Sequence, residues 1–277
     1  MTPTEINQAL EKIGGRPNKK LGQHFLIDAV ALDAIVGAAD IHQGDHVLEV
    51  GPGLGVLTDA LLHQGANVTA IEQDRRFLAH LTSQYPEGLT VIHGDAARLD
   101  WMDFVRDGQW KFVSNLPYSI SSLALRKALW NENPPAKVVV LVQREVAERA
   151  IAKEGKTSLL SLMVALASRT ATLVRRVPAG AFYPPPQVES AILAIEPLSQ
   201  AERLKKWGIN PEKVMALAKK GFAHPRKLLS SNLGLTADMW KPIADRLGID
   251  PRVRAEDLSP ELWVALARDE QATLVCG

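Results

Sequence analysis

The stretch His46-Val47-Leu48-Glu49-Val50-Gly51-Pro52-Gly53-Leu54-Gly55 decides how this 277-residue chain folds. It reads as a strand running into a glycine turn, where the backbone can bend tightly and approach a ligand before a helix opens. The same punctuation recurs on both sides. Residues 28–39 read as a helix capped by Asp28, residues 55–63 as the helix after the turn, and residues 67–71 as a second strand. A helix over 75–84, a third strand over 89–93 and a fourth over 110–113 follow. Next come a helix over 122–130, a fifth strand over 137–142 and a helix to about residue 153. Strands alternating with helices imply βαβ units, a parallel sheet and right-handed crossovers.

The pattern then changes. Residues 157–168 read as another helix, and residues 171–177 and 188–196 as two closing strands. The segment Ala181-Phe182-Tyr183-Pro184-Pro185-Pro186-Gln187 between them is too rich in proline for a strand interior. Beyond Pro197 the strand signal ends, and short helices are interrupted by Gly208, Pro211, Pro225, Gly234, Gly248 and Pro251. The expected organisation is an α/β domain over residues 1–198, opening with a polar, basic arm or loop (1–22), and a small all-helical domain over 199–277.

Composition bounds the function. The chain is 46% hydrophobic and 23% charged, as in ordinary globular proteins. No apolar run approaches the roughly 20 residues of a membrane span, and the first ten residues lack a secretory pattern. The single cysteine, Cys276, excludes an intrachain disulfide or a cysteine metal site and points to a reducing cytoplasm. A monomer with no metal and no membrane partner is expected. The net charge is only +1, yet residues 203–227 hold eight Lys or Arg against one acid, Glu212. Lys12, Arg16, Lys19 and Lys20 form a second basic group. Such clusters suit a phosphate backbone, or equally a solvated helix face and a free arm.

The acids after the glycine turn narrow the ligand. Glu72 ends the second strand, where a carboxylate can grip a ribose diol. Asp95 ends the third strand and can accept from an adenine amine. NAD would prefer Gly-x-Gly-x-x-Gly and needs room for a pyrophosphate; here the spacing is Gly-x-Gly-x-Gly with Pro52 inside. S-adenosylmethionine carries no phosphate and needs acids for ribose and adenine, so the spacing and the acid that ends the third strand favour it.

Asn115-Leu116-Pro117-Tyr118 follows the fourth strand, at the kind of strand mouth where open α/β sheets place their ligands. The Asn115 side-chain oxygen and the Leu116 backbone carbonyl can hold both hydrogens of an exocyclic amine. Pro117 stiffens the turn, and Tyr118 offers a stacking face to a flat base. Positioning an amine roughly 3 Å from an electrophilic methyl, in line with its leaving group, is the catalytic device this arrangement suggests. Phe182 is a second aromatic candidate that could close the other face of a flipped base, although its residue context alone reads as a core aromatic between two strands.

Five motifs in register carry a family resemblance: Lys20-Leu21-Gly22-Gln23-His24-Phe25-Leu26, the glycine turn, Asn115-Leu116-Pro117-Tyr118, Phe182-x-Pro184-x-Pro186-x-Val188, and the tail Gly221-Phe222-Ala223-His224-Pro225-Arg226-Lys227 with Arg254-Ala255-Glu256-Asp257-Leu258. From about residue 16 to 267 the chain resembles the small-subunit ribosomal RNA adenine N6,N6-dimethyltransferases, the KsgA type. The resemblance implies a Rossmann-like S-adenosylmethionine-dependent methyltransferase sheet with helices on both faces. It implies cofactor contacts at His24, Leu26, Gly51, Glu72, Asp95 and Asn115, and target-base contacts at Asn115, Leu116, Pro117, Tyr118 and Phe182. The implied reaction dimethylates two adjacent adenosines near the 3′ end of small-subunit RNA, in an immature subunit. Lys19, Lys20, Lys219, Lys220, Arg226 and Lys227 are the candidate RNA contacts. Three positions depart from the family pattern. Ser119 stands where Asn is frequent, Leu123 where Pro is common, and Pro225 takes the first place of an Arg-Arg-Lys triplet. None is a cofactor residue; the last bears on phosphate contact. The rival readings are the related large-subunit enzyme of macrolide resistance, an assembly factor that has lost catalysis, and an NAD oxidoreductase. The Lys-x-Leu-Gly-Gln start and the Arg-Ala-Glu tail favour the small-subunit type.

Overall fold

A computed structural model describes residues 1–17, 22–105, 109–152, 155–269 and 271–272. Contrary to the expectation of a loop, the arm opens with a helix, α1 (Pro3–Lys12). Its signal is local. Thr2 Oγ1 accepts from the Glu5 N–H at 3.3 Å, and Glu5 Oε2 accepts from the Thr2 N–H at 2.7 Å. This reciprocal cap, with Pro3 in the first turn, outweighs the polar composition that suggested irregular chain. Ile6 and Leu10, one turn apart, are buried. The basic arm residues Lys19 and Lys20 lie outside the described residues.

Next come β1 (Phe25–Leu26), α2 (Ala29–Ala39), β2 (His46–Val50), α3 (Val56–His63), β3 (Asn67–Glu72), α4 (Arg75–Gln84) and β4 (Leu89–His93). The alternation continues through β5 (Trp110–Asn115), α5 (Ser121–Leu129), β6 (Lys137–Gln143), α6 (Arg144–Ala150), α7 (Leu159–Ala167) and β7 (Ser168–Val177). Then follow β8 (Phe182–Tyr183) and β9 (Ser190–Pro197). The short β8 lies within the proline-rich segment, which leaves room for a two-residue strand pairing antiparallel with β1, Leu26 opposite Phe182.

Seven strands form one sheet in the order β4-β3-β2-β5-β6-β9-β7. The pairs β4–β3, β3–β2, β2–β5 and β5–β6 are parallel, and β6–β9 is antiparallel. Val47, Val68, Val113, Val139, Leu141 and Ile192 share a core cluster with Ala31, Ile35 and Ala39 of α2 and Leu57 and Leu61 of α3. The alternating residues Leu48, Phe112, Val138, Val140 and Leu193 are equally inaccessible. Both faces are therefore covered, which is why the strands read as apolar runs rather than as apolar–polar alternation. The fold class is the Rossmann-like α/β sheet that the motifs implied.

The strand order reverses between β2 and β5: the chain builds outward from β2 to β4, then returns to β2's other side. At such a switch point the loops after the two strands diverge and leave a crevice at their carboxyl ends.

The chain divides into two compact units, Met1–Ala147 with Thr172–Pro197, and Glu148–Ala171 with Leu198–Gly277. The excursion Glu148–Ala171, which carries α7, thus belongs with the second unit, whereas the sequence pattern groups it with the sheet. Tertiary contacts explain this: Trp207 Nε1 donates to Leu166 O at 3.0 Å, and the Leu198 N–H donates to Ala167 O at 2.8 Å. The second unit continues through α8 (Gln200–Trp207), α9 (Pro211–Gly221), α10 (Leu229–Leu233), α11 (Ala237–Leu247) and α12 (Pro260–Arg268). Its core includes Val214, Leu217, Trp240, Trp263 and Leu266.

Candidate functional site

The switch-point crevice holds a cavity of about 280 Å³. Its floor is the glycine turn. Gly51, Gly53 and Gly55 all have positive φ, 72°, 58° and 84°, a region that side chains with a Cβ enter only at a cost. Space adds a second reason at all three, most tightly at Gly55, where a Cβ would lie 3.0 Å from Leu81 and Tyr85. A Cβ on Gly51 would lie 3.2 Å from Pro117, and one on Gly53 would lie 3.1 Å from the Phe25 ring.

Glu72, at the end of β3, is 6% exposed. Its carboxylate accepts from the Gly53 N–H at 3.1 Å and from the Asp74 N–H at 2.8 Å. Burial raises its pKa more than these bonds lower it. Glu49, in β2, is more extreme. It is 1% exposed, its only described hydrogen bond comes from Thr58 Oγ1 at 2.6 Å, and burial pushes its pKa up to about 8. Asp95 accepts from the Ala97 N–H at 2.9 Å and lies 3.4 Å from the largely exposed Arg98. These three acids line the cavity, and among its described lining residues there is no Lys or Arg. A pyrophosphate would meet carboxylates here. A ligand that is cationic where it meets the protein, with a ribose and an adenine, meets complementary groups.

Asn115 ends β5, and its Nδ2 donates to the backbone oxygen of His24 at 3.4 Å. That leaves Oδ1, the acceptor an amine requires, as the group to be presented. The Leu116 N–H is anchored to Leu141 O at 3.1 Å. Ser114 Oγ donates to Val50 O at 2.7 Å and fastens β5 to the glycine-turn strand. Tyr118 Oη pairs with Ser190 Oγ at 2.7 Å, and burial raises its pKa. The His24 ring stacks on the Tyr118 ring, centroids 5.8 Å apart and planes at 24°, while its Nδ1 pairs with Pro184 O at 2.7 Å.

The fold thus brings His24, Leu26, Gly51, Glu72, Asp95, Asn115, Leu116, Pro117 and Tyr118 to one cavity. It does not bring Phe182. That ring is 2% exposed, packed with Leu26, Val113 and Leu141 and absent from the cavity wall. Its place is the core position that its residue context suggested, in one apolar cluster with Ala181 and Ile192. Glu49, Gln23 and Phe25, to which the motifs assign no role, also stand on the wall. A carboxylate between Leu48 and Val50 in a buried strand was the available signal for Glu49.

Lys219 and Lys220, in the last turn of α9, and Arg226 and Lys227, just after it, are exposed residues of the second unit. The connecting turn is braced by side chains. Asn232 Nδ2 donates to Gly221 O at 2.7 Å and to His224 O at 3.0 Å, and Phe222 stacks on Trp263 with centroids 5.5 Å apart.

A switch-point crevice with a close-approach glycine turn, three acids and, among its described lining residues, no cation to hold a phosphate suits an S-adenosylmethionine-dependent methyltransferase. Similarity to known proteins carries this further. Residues 14–269 match the ribosomal RNA adenine dimethylase family, and the chain belongs to that family. It is an rRNA adenine dimethyltransferase that uses S-adenosylmethionine. It is 40% identical over 276 residues to "Ribosomal RNA small subunit methyltransferase A" of Dehalococcoides mccartyi, covering 96% of this chain and 93% of that relative. A dimethyladenosine transferase from Plasmodium falciparum superposes with a TM-score of 0.70 at 25% identity, covering 87% of this chain and 95% of the other. The 23S rRNA methyltransferase ErmE shares the fold, with a TM-score of 0.66 at 23% identity, over 88% of this chain and 98% of the other.

Proposed function

We propose that this enzyme dimethylates N6 of two adjacent adenosines near the 3′ end of small-subunit ribosomal RNA. In this reading it acts as a monomer on an immature small subunit in the cytoplasm, and the modification is coupled to subunit assembly. The small-subunit target is supported by the motifs at both ends of the chain and by the name of the Dehalococcoides relative. The observation that carries the chemistry is the orientation of Asn115, whose amide nitrogen is engaged by His24 O and whose oxygen is left for the substrate amine.

Bound S-adenosylmethionine supplies an electrophilic methyl group on a sulfonium sulfur. Glu72 and Asp95 hold the ribose and the adenine, and the glycine turn lets the backbone close on the methionine part. Asn115 Oδ1 and the Leu116 carbonyl each accept one hydrogen of the target amine. Engaging both hydrogens in this way favours a pyramidal amine with its lone pair directed away from the two acceptors. Pro117 restricts the turn that carries both acceptors. Tyr118 stacks the flipped base on the face that His24 leaves open. Phe182 contributes from the core, by holding its ladder partner Leu26 at the wall. Neither Asn115 nor Leu116 can keep the amine's proton, so the rate enhancement comes from orientation rather than from a strong base. The departing proton goes to water. Lys219, Lys220, Arg226 and Lys227, together with Lys19 and Lys20, neutralise RNA phosphates in this reading.

The test is methyl transfer from labelled S-adenosylmethionine to undermethylated small subunits, with large-subunit RNA in parallel and the products mapped. Dimethyladenosine confined to small-subunit RNA is the expected result. Label confined to large-subunit RNA would overturn the target, and cofactor binding without label in either RNA would overturn the proposed substrate altogether.

A further inference from the structure

The first turn of α4 does more than follow the ribose-facing acid. Asp74 caps this helix, its Oδ1 accepting from the Arg76 N–H at 3.1 Å. The same carboxylate binds the Arg76 guanidinium through two nitrogens, Nη2 to Oδ2 at 2.5 Å and Nε to Oδ1 at 2.9 Å. Two further bonds reach outward. Gln23 Nε2 donates to Asp74 Oδ2 at 3.0 Å, and Arg76 Nη1 reaches Arg16 O at 3.4 Å. The amino-terminal segment passes so close to this guanidinium that a Cβ on Gly15 would collide with Arg76 Nη1. On the apolar side of the same turn, Phe77 meets the Phe25 ring edge-on, centroids 6.0 Å apart, in a cluster with Ile6, Leu10, Leu54 and Leu81. One helical turn therefore holds the arm at Gly15–Arg16 and again at Gln23–Phe25.

What is held there belongs to the cavity. Gln23, His24 and Phe25 line it, and the His24 carbonyl is the group that orients Asn115. Asp74 is tied to the opposite wall as well, because its own N–H donates to Glu72 Oε1 at 2.8 Å. The arm wall and the ribose-facing acid are thus suspended from one residue.

We propose that the Asp74–Arg76 pair is a positioning device that seats the amino-terminal arm as a wall of the cofactor cavity and sets how long S-adenosylmethionine stays bound. Neither residue lines the cavity; both act through Gln23, the Arg16 backbone and Glu72. Arg76 holds the Asp74 carboxyl well below its ordinary range, at about 2, so the acceptor for Gln23 stays ionised through the neutral range. A planar guanidinium bound through two nitrogens fixes direction as well as charge. The inference rests on the cofactor assignment and is independent of the RNA target.

Asp74→Asn and Arg76→Gln test it. Asparagine caps a helix as well as aspartate does, so Asp74→Asn removes the charge and keeps the cap. Arg76→Gln leaves the cap residue untouched and reads the pair even where the first variant folds poorly. The measurement is the dissociation rate of S-adenosylmethionine from the isolated protein, with KM for the cofactor and kcat at saturating cofactor alongside. The expected result is a dissociation rate raised roughly tenfold or more, the scale of a lost hydrogen bond to a charged group. KM rises with it by more than kcat falls, because Asn115 itself is unaltered. Because the two residues act as one unit, the double variant dissociates no faster than the worse single variant. Amide hydrogen exchange at residues 22–26 accelerates in each variant. An unchanged dissociation rate in folded variants, or a fall in kcat with cofactor residence unaltered, would overturn the proposal. Failure of the unaltered protein to bind the cofactor would instead overturn the cofactor assignment.

Discussion

Replacing Asn115 with alanine separates catalysis from stability. The only described hydrogen bond of this side chain, Nδ2 to His24 O, spans 3.4 Å, beyond the usual range for N–H···O pairs. Its loss costs the fold at most about 1 kcal/mol, a melting-point change of roughly 2–4 °C for a domain of this size. The effect on turnover is far larger. The substitution deletes one of two acceptors for the substrate amine and leaves the Leu116 carbonyl to hold the nitrogen alone. Removing a single preorganised partner in a catalytic site typically lowers kcat by about 10²–10³, or roughly 3–4 kcal/mol. The assay is single-turnover transfer of labelled methyl to undermethylated small subunits at saturating cofactor, with the melting curve and cofactor affinity measured on the same preparation. The expected result is kcat at or below about one hundredth of the unaltered enzyme with the fold intact. Turnover within about threefold would refute the argument that this oxygen positions the amine, and a melting-point loss beyond about 10 °C would make Asn115 a structural residue instead.

Three further outcomes follow from the same geometry. Glu49 ionises near 4.5 when exposed and near 8 when folded, so the folded protein binds more protons between those values. Stability is therefore greatest below about pH 4.5 as far as this group is concerned and declines as pH rises to about 8; Glu49→Gln, which keeps an acceptor for Thr58, flattens the decline, and parallel melting curves for the two proteins would contradict this. Gly51→Ala forces an ordinary residue to φ +72° and presses a methyl group against Pro117 at 3.2 Å. With a backbone cost of about 1–2 kcal/mol, cofactor affinity measured by calorimetry drops roughly tenfold, and unchanged affinity would mean the turn is not pressed against the ligand. Neutralising Arg226 and Lys227 together reduces the log–log salt slope of small-subunit binding by roughly 0.7–0.9 for each phosphate that is no longer neutralised, and an unaltered slope would remove this turn from the RNA interface.

The core of the fold was legible because its signals are local. Strands buried on both faces write themselves as apolar runs such as Lys137–Gln143, and the glycines at 51, 53 and 55 mark a turn that needs positive φ. The glycine turn and the Asn115–Tyr118 motif were legible for the same reason, since each is one strand end with its own chemistry. The arm helix was also written locally, in Thr2, Pro3 and Glu5, but polar composition masked its cap. Other features depended on distant partners. The grouping of Glu148–Ala171 with the helical unit depends on Trp207 meeting Leu166, 41 residues apart in sequence. Phe182 carries the same side chain in a base-contact motif and in a core, and only the packed cluster around it shows that the ring is buried. The ionisation of Glu49 arises from burial, and the seating of the arm on Asp74 and Arg76 from contacts across more than 50 residues. The sequence by itself determined the sheet, the glycine turn and the chemistry offered at each strand end, because backbone propensity and periodicity act within a few residues. The tertiary structure alone decided which of those groups face one another, which are shut away from water and which way each amide points, because burial and hydrogen-bond direction are properties of the packed chain.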